Sequence, residues 1–443
     1  MVNNERIIFT KEMKNDYTIL VPTMLPTHFN LIINVLNEYG HHCELLENTS
    51  KNVVDSGLRY VHNDTCYPAL LVIGQMIDAL ESGKYDIHKV AFLITQTGGG
   101  CRASNYIHLL RKALQKSGYG FVPVVSLSFN GMESNPGFKL SLSMLDRMFY
   151  CVLYGDLMMQ LGNQIRPYEL EAGATNRLEK YWTKKLTDEM KGRGLLSYRK
   201  VLKNYHAMLE DYAKIPCLHE EKVKVGIVGE IYVKFSPLGN NNLEQFLLDE
   251  NAETVMPGLL DFCLYCVYNG ITDRKLYGTG FFKYHVNKIA YNLLTKKQNA
   301  IIDVIKEHGQ FRAPTKFDHT RALVESYIGY GTKMGEGWLL TAEMIELIDQ
   351  GVNNIICTQP FGCLPNHIVG KGMMKTIKER NPQANIVAVD YDPSATKINQ
   401  ENRIKLMLAN AVLSSKKQAV RTSSIDVVLQ KADSSDKELI LNK

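Results

Sequence analysis

Apolar and polar residues follow two alternating periods along the first 135 or so residues. The runs YTILVPTM (17–24), VAFLITQ (90–96) and FVPVVSLSF (121–129) are continuously apolar and β-rich, as in buried strands. HCELLE (42–47) is a further short strand. Between these runs, HFNLIINVLNEY (28–39), YPALLVIGQMIDALESG (67–83) and SNYIHLLRKALQKSG (104–118) carry apolar residues at helical spacing. Gly83 closes the second helix; Ser104 and Gly118 bound the third. Apolar strands alternating with helices predict a parallel sheet covered on both faces.

The pattern then changes. LSLSMLDRMFYCVLYGDLMMQLGNQI (140–165) reads as one long, Met-rich helix. Methionine suits either a core or an adaptable binding surface, and the core is the simpler reading. Charged helices follow at 177–193 and 198–213. A second α/β unit starts at VKVGIVGEIYVKF (223–235), a strand run, with a helix at 242–251, a short strand at Val255–Pro257 and helical sequence over 258–308. It ends in a strand (353–359), a helix (366–380), a strand (385–392) and a closing helix (402–415). The expected fold class is α/β, with two Rossmann-like parallel-sheet domains and additional helices. The expected divisions are a first α/β domain (1–139), a helical segment packing on the domains (140–220), a second α/β domain (221–415) with a helical insertion at 258–345, and a loosely held polar tail (416–443).

The composition, with 45% hydrophobic and 22% charged residues, excludes a disordered or collagen-like chain. A net charge of +5 over 443 residues is too small for a nucleic-acid footprint. No run of about 18 apolar residues is present, so no membrane span is expected. The charged start lacks a signal core, and a cytoplasmic protein is expected. Nine cysteines are too few for a disulfide scaffold, which leaves buried thiols or metal ligation.

In parallel sheets, ligands bind in the loops at the strands' carboxyl ends. Cys101 follows a strand in TQTGGGCRASNY, Cys363 follows another in TQPFGCLPNH, and Cys66 precedes a helix in HNDTCYP. Spacings of 35 and 262 residues match neither a ferredoxin run nor a zinc ribbon, so spacing alone leaves ordinary buried thiols open. Gly98, Gly99 and Gly100 can form a tight turn or aim amide N–H groups at an anion, and Arg102 can offset thiolate charge. Cys357, six residues before Cys363, faces either the same loop or the core. Cys263 and Cys266 form a CxxC in an apolar helix, where packing is favoured, and Cys43, Cys151 and Cys217 look structural. Glu336 starts a helix in GEGW, as a cap-like anion or a substrate contact. Asn366 caps the next helix or, with His367, donates protons. Asp390 ends a strand as a ribose-binding acid would, but no GxGxxG precedes it; GxxxxGK[ST] and HExxH are also missing.

The segments NDTCYPALLVIGQMIDAL, QTGGGCRASNYI, GEIYVKFSPLGNNNLEQFL, GEGWLLTAEM and QPFGCLPNHIVGKG with DYDPSATKINQENRIKLML resemble the 2-hydroxyacyl-CoA dehydratase / benzoyl-CoA reductase superfamily. They are most similar to the dehydratase-like region at the carboxyl end of large activase-related proteins. The resemblance runs over residues 15–415. It implies two Rossmann-like domains and an oxygen-sensitive 4Fe-4S cluster on three cysteines, carried here onto Cys66, Cys101 and Cys363. It also implies a separate ATP-hydrolysing, cluster-bearing activator that delivers low-potential electrons to reduce a small molecule such as an acyl-CoA thioester. A double-cubane 8Fe-9S cluster, as in related members, would draw on Cys357, Cys263 and Cys266. A dimer is expected. The glycine amides and Arg102 are the candidates around the cluster. The ATPase segment of the large fused relatives is missing, and no CoA-binding segment matches. The reading from a different class is a non-catalytic binding or maturation protein of the same fold, holding zinc or no metal.

Overall fold

The computed structural model describes residues 6–62, 64–96, 100–101, 105–128, 133–278 and 280–414. The chain opens with a one-turn helix α1 (Met13–Asp16) and continues as β1 (Thr18–Val21), α2 (Pro26–Glu38), β2 (Cys43–Leu45), α3 (Lys51–Tyr60), α4 (Tyr67–Glu81), β3 (Val90–Gln96), α5 (Tyr106–Lys116) and β4 (Val124–Ser128). The four strands form an all-parallel sheet in the order β2-β1-β3-β4. Ile19, Leu20, Phe92, Leu93 and Val125 are buried in it. Burial on both faces explains why these strands lack a polar alternation.

Three long helices follow: α6 (Leu142–Ile165), α7 (Ala174–Glu189) and α8 (Tyr198–Ala213). Ser141 caps α6 by accepting the Met144 N–H at 3.2 Å. Met144 and Met158 are buried, so the Met-rich helix is core. Asp156 of α6 ties the molecule together. One carboxylate oxygen lies 2.8 Å from His28 Nε2 on α2.

The second unit contains β5 (Val223–Gly229), the short helices α9 (Ile231–Phe235), α10 (Pro237–Asn240) and α11 (Leu243–Asp249), then β6 (Ala252–Val255). The helices α12 (Leu259–Tyr277), α13 (Phe281–His308), α14 (Phe317–Val324) and α15 (Trp338–Asp349) come next. It ends with β7 (Asn354–Pro360), α16 (Met374–Arg380), β8 (Asn385–Tyr391) and a helix over 397–414. Its sheet is again all-parallel, in the order β6-β5-β7-β8. Asp156 reaches this unit as well, accepting the Leu259 and Leu260 N–H groups at 2.7 and 2.9 Å. These are unsatisfied donors of the first turn of α12, where a carboxylate is favoured. The approach needs glycine on both sides. A Cβ on Gly155 would lie 2.3 Å from the His28 ring, and one on Gly258 would lie 2.6 Å from the Asp156 carboxylate.

Most strands fall on the expected apolar runs, and the fold class is as the pattern predicts. Two readings are corrected: the run 223–235 is strand only to Gly229, because Glu230 accepts the Val233 N–H and caps a helical turn at Ile231–Phe235, and the short strand expected at 255–257 lies at Ala252–Val255. Helix α3 was not anticipated: KNVVDSGLRY buries only Val53, Ser56 and Gly57, too few apolar residues to mark a periodic face. The expected helix 366–380 begins instead as a π turn (Asn366–Gly370) and a 3-10 turn (Lys371–Met373). The expected polar tail lies outside the described residues. No described helix is long and apolar enough to cross a membrane.

One buried group makes stability depend on pH. His41 packs against Phe138 with ring centroids 4.6 Å apart and the rings tilted by 37°, and neither ring nitrogen has a hydrogen-bond partner among the described residues. Burial, with Lys14 nearby, pushes its pKa down from 6.5 to about 4. As pH falls through this window the unfolded chain takes the proton first, so stability is lost. His41→Phe should therefore lose less stability than the parent between pH 7 and pH 4, by a few kcal/mol at the acid end. Urea midpoints across that range check this; parallel curves for the two proteins would show that His41 does not carry the effect.

Candidate functional site

Both sheets present their carboxyl-end loops to one cavity of about 440 Å³. Its walls include Gly100 and Cys101 after β3, Glu230 after β5, and Gly362 and Cys363 after β7. Cys66, at the start of α4, and Glu336, before α15, also line it. The loop positions follow from the topology, because the carboxyl edge of an open parallel sheet forms a crevice where strand order reverses.

Cys66 is held from two directions. It is the N-cap residue of α4, with Pro68 in the first turn. The next residue, Tyr67, donates its N–H to the Phe361 carbonyl at 2.9 Å, joining the first unit to the loop after β7. Gly362 in that loop has φ +71, and a Cβ there would lie 3.1 Å from Cys66 Cα. A left-handed turn pressed on another backbone leaves room only for glycine. The same turn presents Cys363, whose N–H donates to the Pro360 carbonyl at 3.2 Å. Cys101 is half-buried on the cavity wall, and a Cβ on Gly335 would lie 3.9 Å from Cys101 Cβ. Gly100 sits against Met334, where a Cβ would lie 2.4 Å from the sulfur.

The cavity's chemistry is set by burial. Cys66 Sγ lies 3.4 Å from Tyr106 Oη. Burial pushes the Cys66 thiol up to about 11, against the Tyr106 hydrogen bond, and raises Cys363 further, with Glu336 and Glu230 adding to the effect. Glu230 and Glu336 form a buried pair. Burial raises both, and the Glu336 charge raises Glu230 further. The carboxylates are opposed by backbone donors: Glu230 accepts the Val233 N–H and Glu336 the Ile231 N–H, each at 3.0 Å. Behind them, Lys234 Nζ lies 2.8 Å from Glu343 in a fully buried ion pair. The pair Glu230/Glu336 is thus arranged to hold a proton near neutral pH. Pro68, Met334, Leu364 and Pro365 supply apolar wall.

The structure therefore brings Cys66, Cys101, Cys363, Gly100, Glu336 and His367 to one cavity. It does not bring Cys357 there. Cys357 is buried in β7 with Sγ 3.6 Å from Asn366 Oδ1, because its strand position points it into the core. Asn366 is no cap; its amide donates to the Thr358 carbonyl at 2.8 Å and fills the π turn. Glu336 caps no helix of its own, serving the Ile231 amide instead. Gly98, Gly99, Arg102 and Ser104 lie outside the described residues. Cys263 and Cys266 sit on α12, with burial pushing the Cys263 thiol up to about 12. Cys151 is buried beside Met190, and Asp390 is paired with Arg403 and Lys371. Glu230 and Tyr106 were missed. Glu230 had a signal, a lone acid after the strand in VGEIYVKF.

Among the described residues no group of three or more His, Cys, Asp or Glu side chains stands close enough to share one metal ion. No family model and no curated protein matches the sequence significantly.

The contact at Gly362 is testable. Gly362→Ala should cost about 1–2 kcal/mol, since it adds a strained φ and a clash with the Cys66 backbone. It should also speed the reaction of Cys66 and Cys363 with a thiol reagent, followed by mass spectrometry under anaerobic conditions. Unchanged stability and labelling would show that the loop does not close on Cys66.

Proposed function

We propose that this chain is the cluster-bearing component of a cytoplasmic reductase or dehydratase system of the 2-hydroxyacyl-CoA dehydratase / benzoyl-CoA reductase type. Cys66, Cys101 and Cys363 hold a 4Fe-4S cluster, and a separate ATP-hydrolysing activator supplies the electrons. The observation that carries the reading is the convergence of three cysteines, far apart in sequence, on one cavity at the carboxyl ends of both sheets.

The donor set suits a cubane. Three thiolates would be enough to hold a cubane, whereas the zinc-holding alternative would need a fourth ligand. A single cubane is favoured over a double one, because Cys357, Cys263 and Cys266 do not line the cavity. Raised thiol pKa values mean that loading releases protons from the cysteines.

Held by Cys66, Cys101 and Cys363, such a cluster would supply one-electron reduction at low potential. The chain's own residues do the rest. Tyr106 Oη, 3.4 Å from Cys66 Sγ, donates to that sulfur and moderates its charge. Glu230 and Glu336 hold a proton at a carboxyl oxygen facing the cavity, ready for a leaving hydroxyl or a reduced carbon. His367 is a second proton donor on the opposite loop. The apolar wall limits water, which raises the strength of every polar contact inside. An acyl thioester or another small reducible molecule fits a cavity of about 440 Å³ only in part, with a larger carrier left outside its mouth.

Anaerobic reconstitution with iron and sulfide should give a brown protein with about four irons per chain. Cys101→Ala should lose most of that iron, whereas Cys151→Ala and Cys357→Ala should keep it. Reduction by an added activator should require ATP hydrolysis. An iron-free parent protein, or equal iron loss in all three variants, would reject the assignment.

A further inference from the structure

Helix α13 is buried over its second half, where Ile301, Ile302 and Ile305 enter the core. Its first half forms an arm with the end of α12. There Phe282, Val286, Ile289 and Leu293 are 82%, 50%, 70% and 55% exposed. Their spacing of four, three and four residues is the a/d repeat of a coiled coil. The stripe is one helix wide and about 16 Å long. Leu276 and Tyr277 extend it at the end of α12, 49% and 63% exposed.

The charge around the stripe has one sign. From Arg274 to Ile302 the sequence holds six Lys and Arg and no Asp or Glu. Lys283, Lys288 and Lys296 are exposed, and none of them is paired with a carboxylate among the described residues. Two copies of this arm packed together would bring like charges face to face, which disfavours self-association. An interfacial membrane helix needs a broad apolar face, whereas an a/d stripe is the narrow seam of helix pairing.

We propose that the outer face of α13 docks an amphipathic helix of a protein partner, with apolar a and d positions and acidic flanks. The proposal does not rest on the cluster reading. Its location gives it a use, however. Leu276 and Tyr277 pack on Gly331, where a Cβ would meet them at 3.6 and 3.9 Å. Lys333 Nζ lies 5.1 Å over the Tyr277 ring. The next residue, Met334, is exposed and forms the cavity wall beside Gly100. A helix docked on the arm therefore lies beside the mouth of the cysteine-lined cavity.

The test uses the full chain and two synthetic three-heptad peptides with Ile and Leu at a and d. One has Glu at every e and g position, the other Lys; like-charged flanks keep each peptide monomeric. Fluorescence anisotropy should show the acidic peptide binding at least about tenfold tighter, the gap narrowing as salt rises. Phe282→Asp/Ile289→Asp should weaken the acidic peptide by about tenfold or more, with an unchanged circular dichroism spectrum. Should that variant misfold, Lys283→Glu/Lys288→Glu supplies the answer by abolishing the preference for acidic flanks. Equal binding of the two peptides, or binding of neither, overturns the proposal. So does sedimentation showing a dimer that the Phe282/Ile289 variant dissolves, since a second copy then covers the seam. Seam-dependent adsorption to anionic phospholipid vesicles without peptide binding overturns it too, in favour of a membrane surface.

Discussion

A single buried carboxylate joins the three parts of this protein. Asp156, on the long helix between the two α/β units, takes a hydrogen bond from His28 of the first and two backbone N–H groups from the second. A carboxylate with three donors is stable in the interior, while the same group stripped of them would cost about 3–5 kcal/mol. Its geometry fixes how α2, α6 and α12 meet. That in turn sets the approach of the two sheets, and the cavity exists only because their carboxyl edges face a common space.

Within that space, opposite preferences are balanced by burial. Thiols and carboxylic acids are both driven toward their protonated forms when water is removed. Glu230 and Glu336 stay in place because backbone amides hold them, and Lys234 is paired with Glu343 behind them. A cavity that protonates its acids and discourages free thiolate is poorly suited to surface chemistry.

Much of the architecture was legible in the sequence, because a strand buried on both faces has no choice but to be continuously apolar. VAFLITQ and NNIICTQ announced themselves in this way, as did the cysteine-bearing loops after them. What stayed hidden was whatever depends on a neighbour distant in sequence. Cys357 lies close to Cys363 along the chain, yet strand geometry turns it toward Asn366. Asn366 looked like a cap, but a π turn gives its side chain to Thr358. Glu230 carried a local signal that meant little until Glu336 was placed beside it. The exposed stripe on α13 has ordinary helical periodicity, and only the fold reveals that, among the described residues, this face is left exposed.

The two sheets share the strand order 2-1-3-4. Each unit has its own hydrogen-bonded ladder, and neither supplies the whole ring of side chains around the cavity. An intact cavity and folded units are for this reason distinct properties of the molecule. Mild heat or denaturant that slides one unit against the other would dismantle the chamber while both ladders survive. A spectroscopically intact sample can then lack the cavity, and a ligand gripping both edges at once would act as the rivet that prevents it.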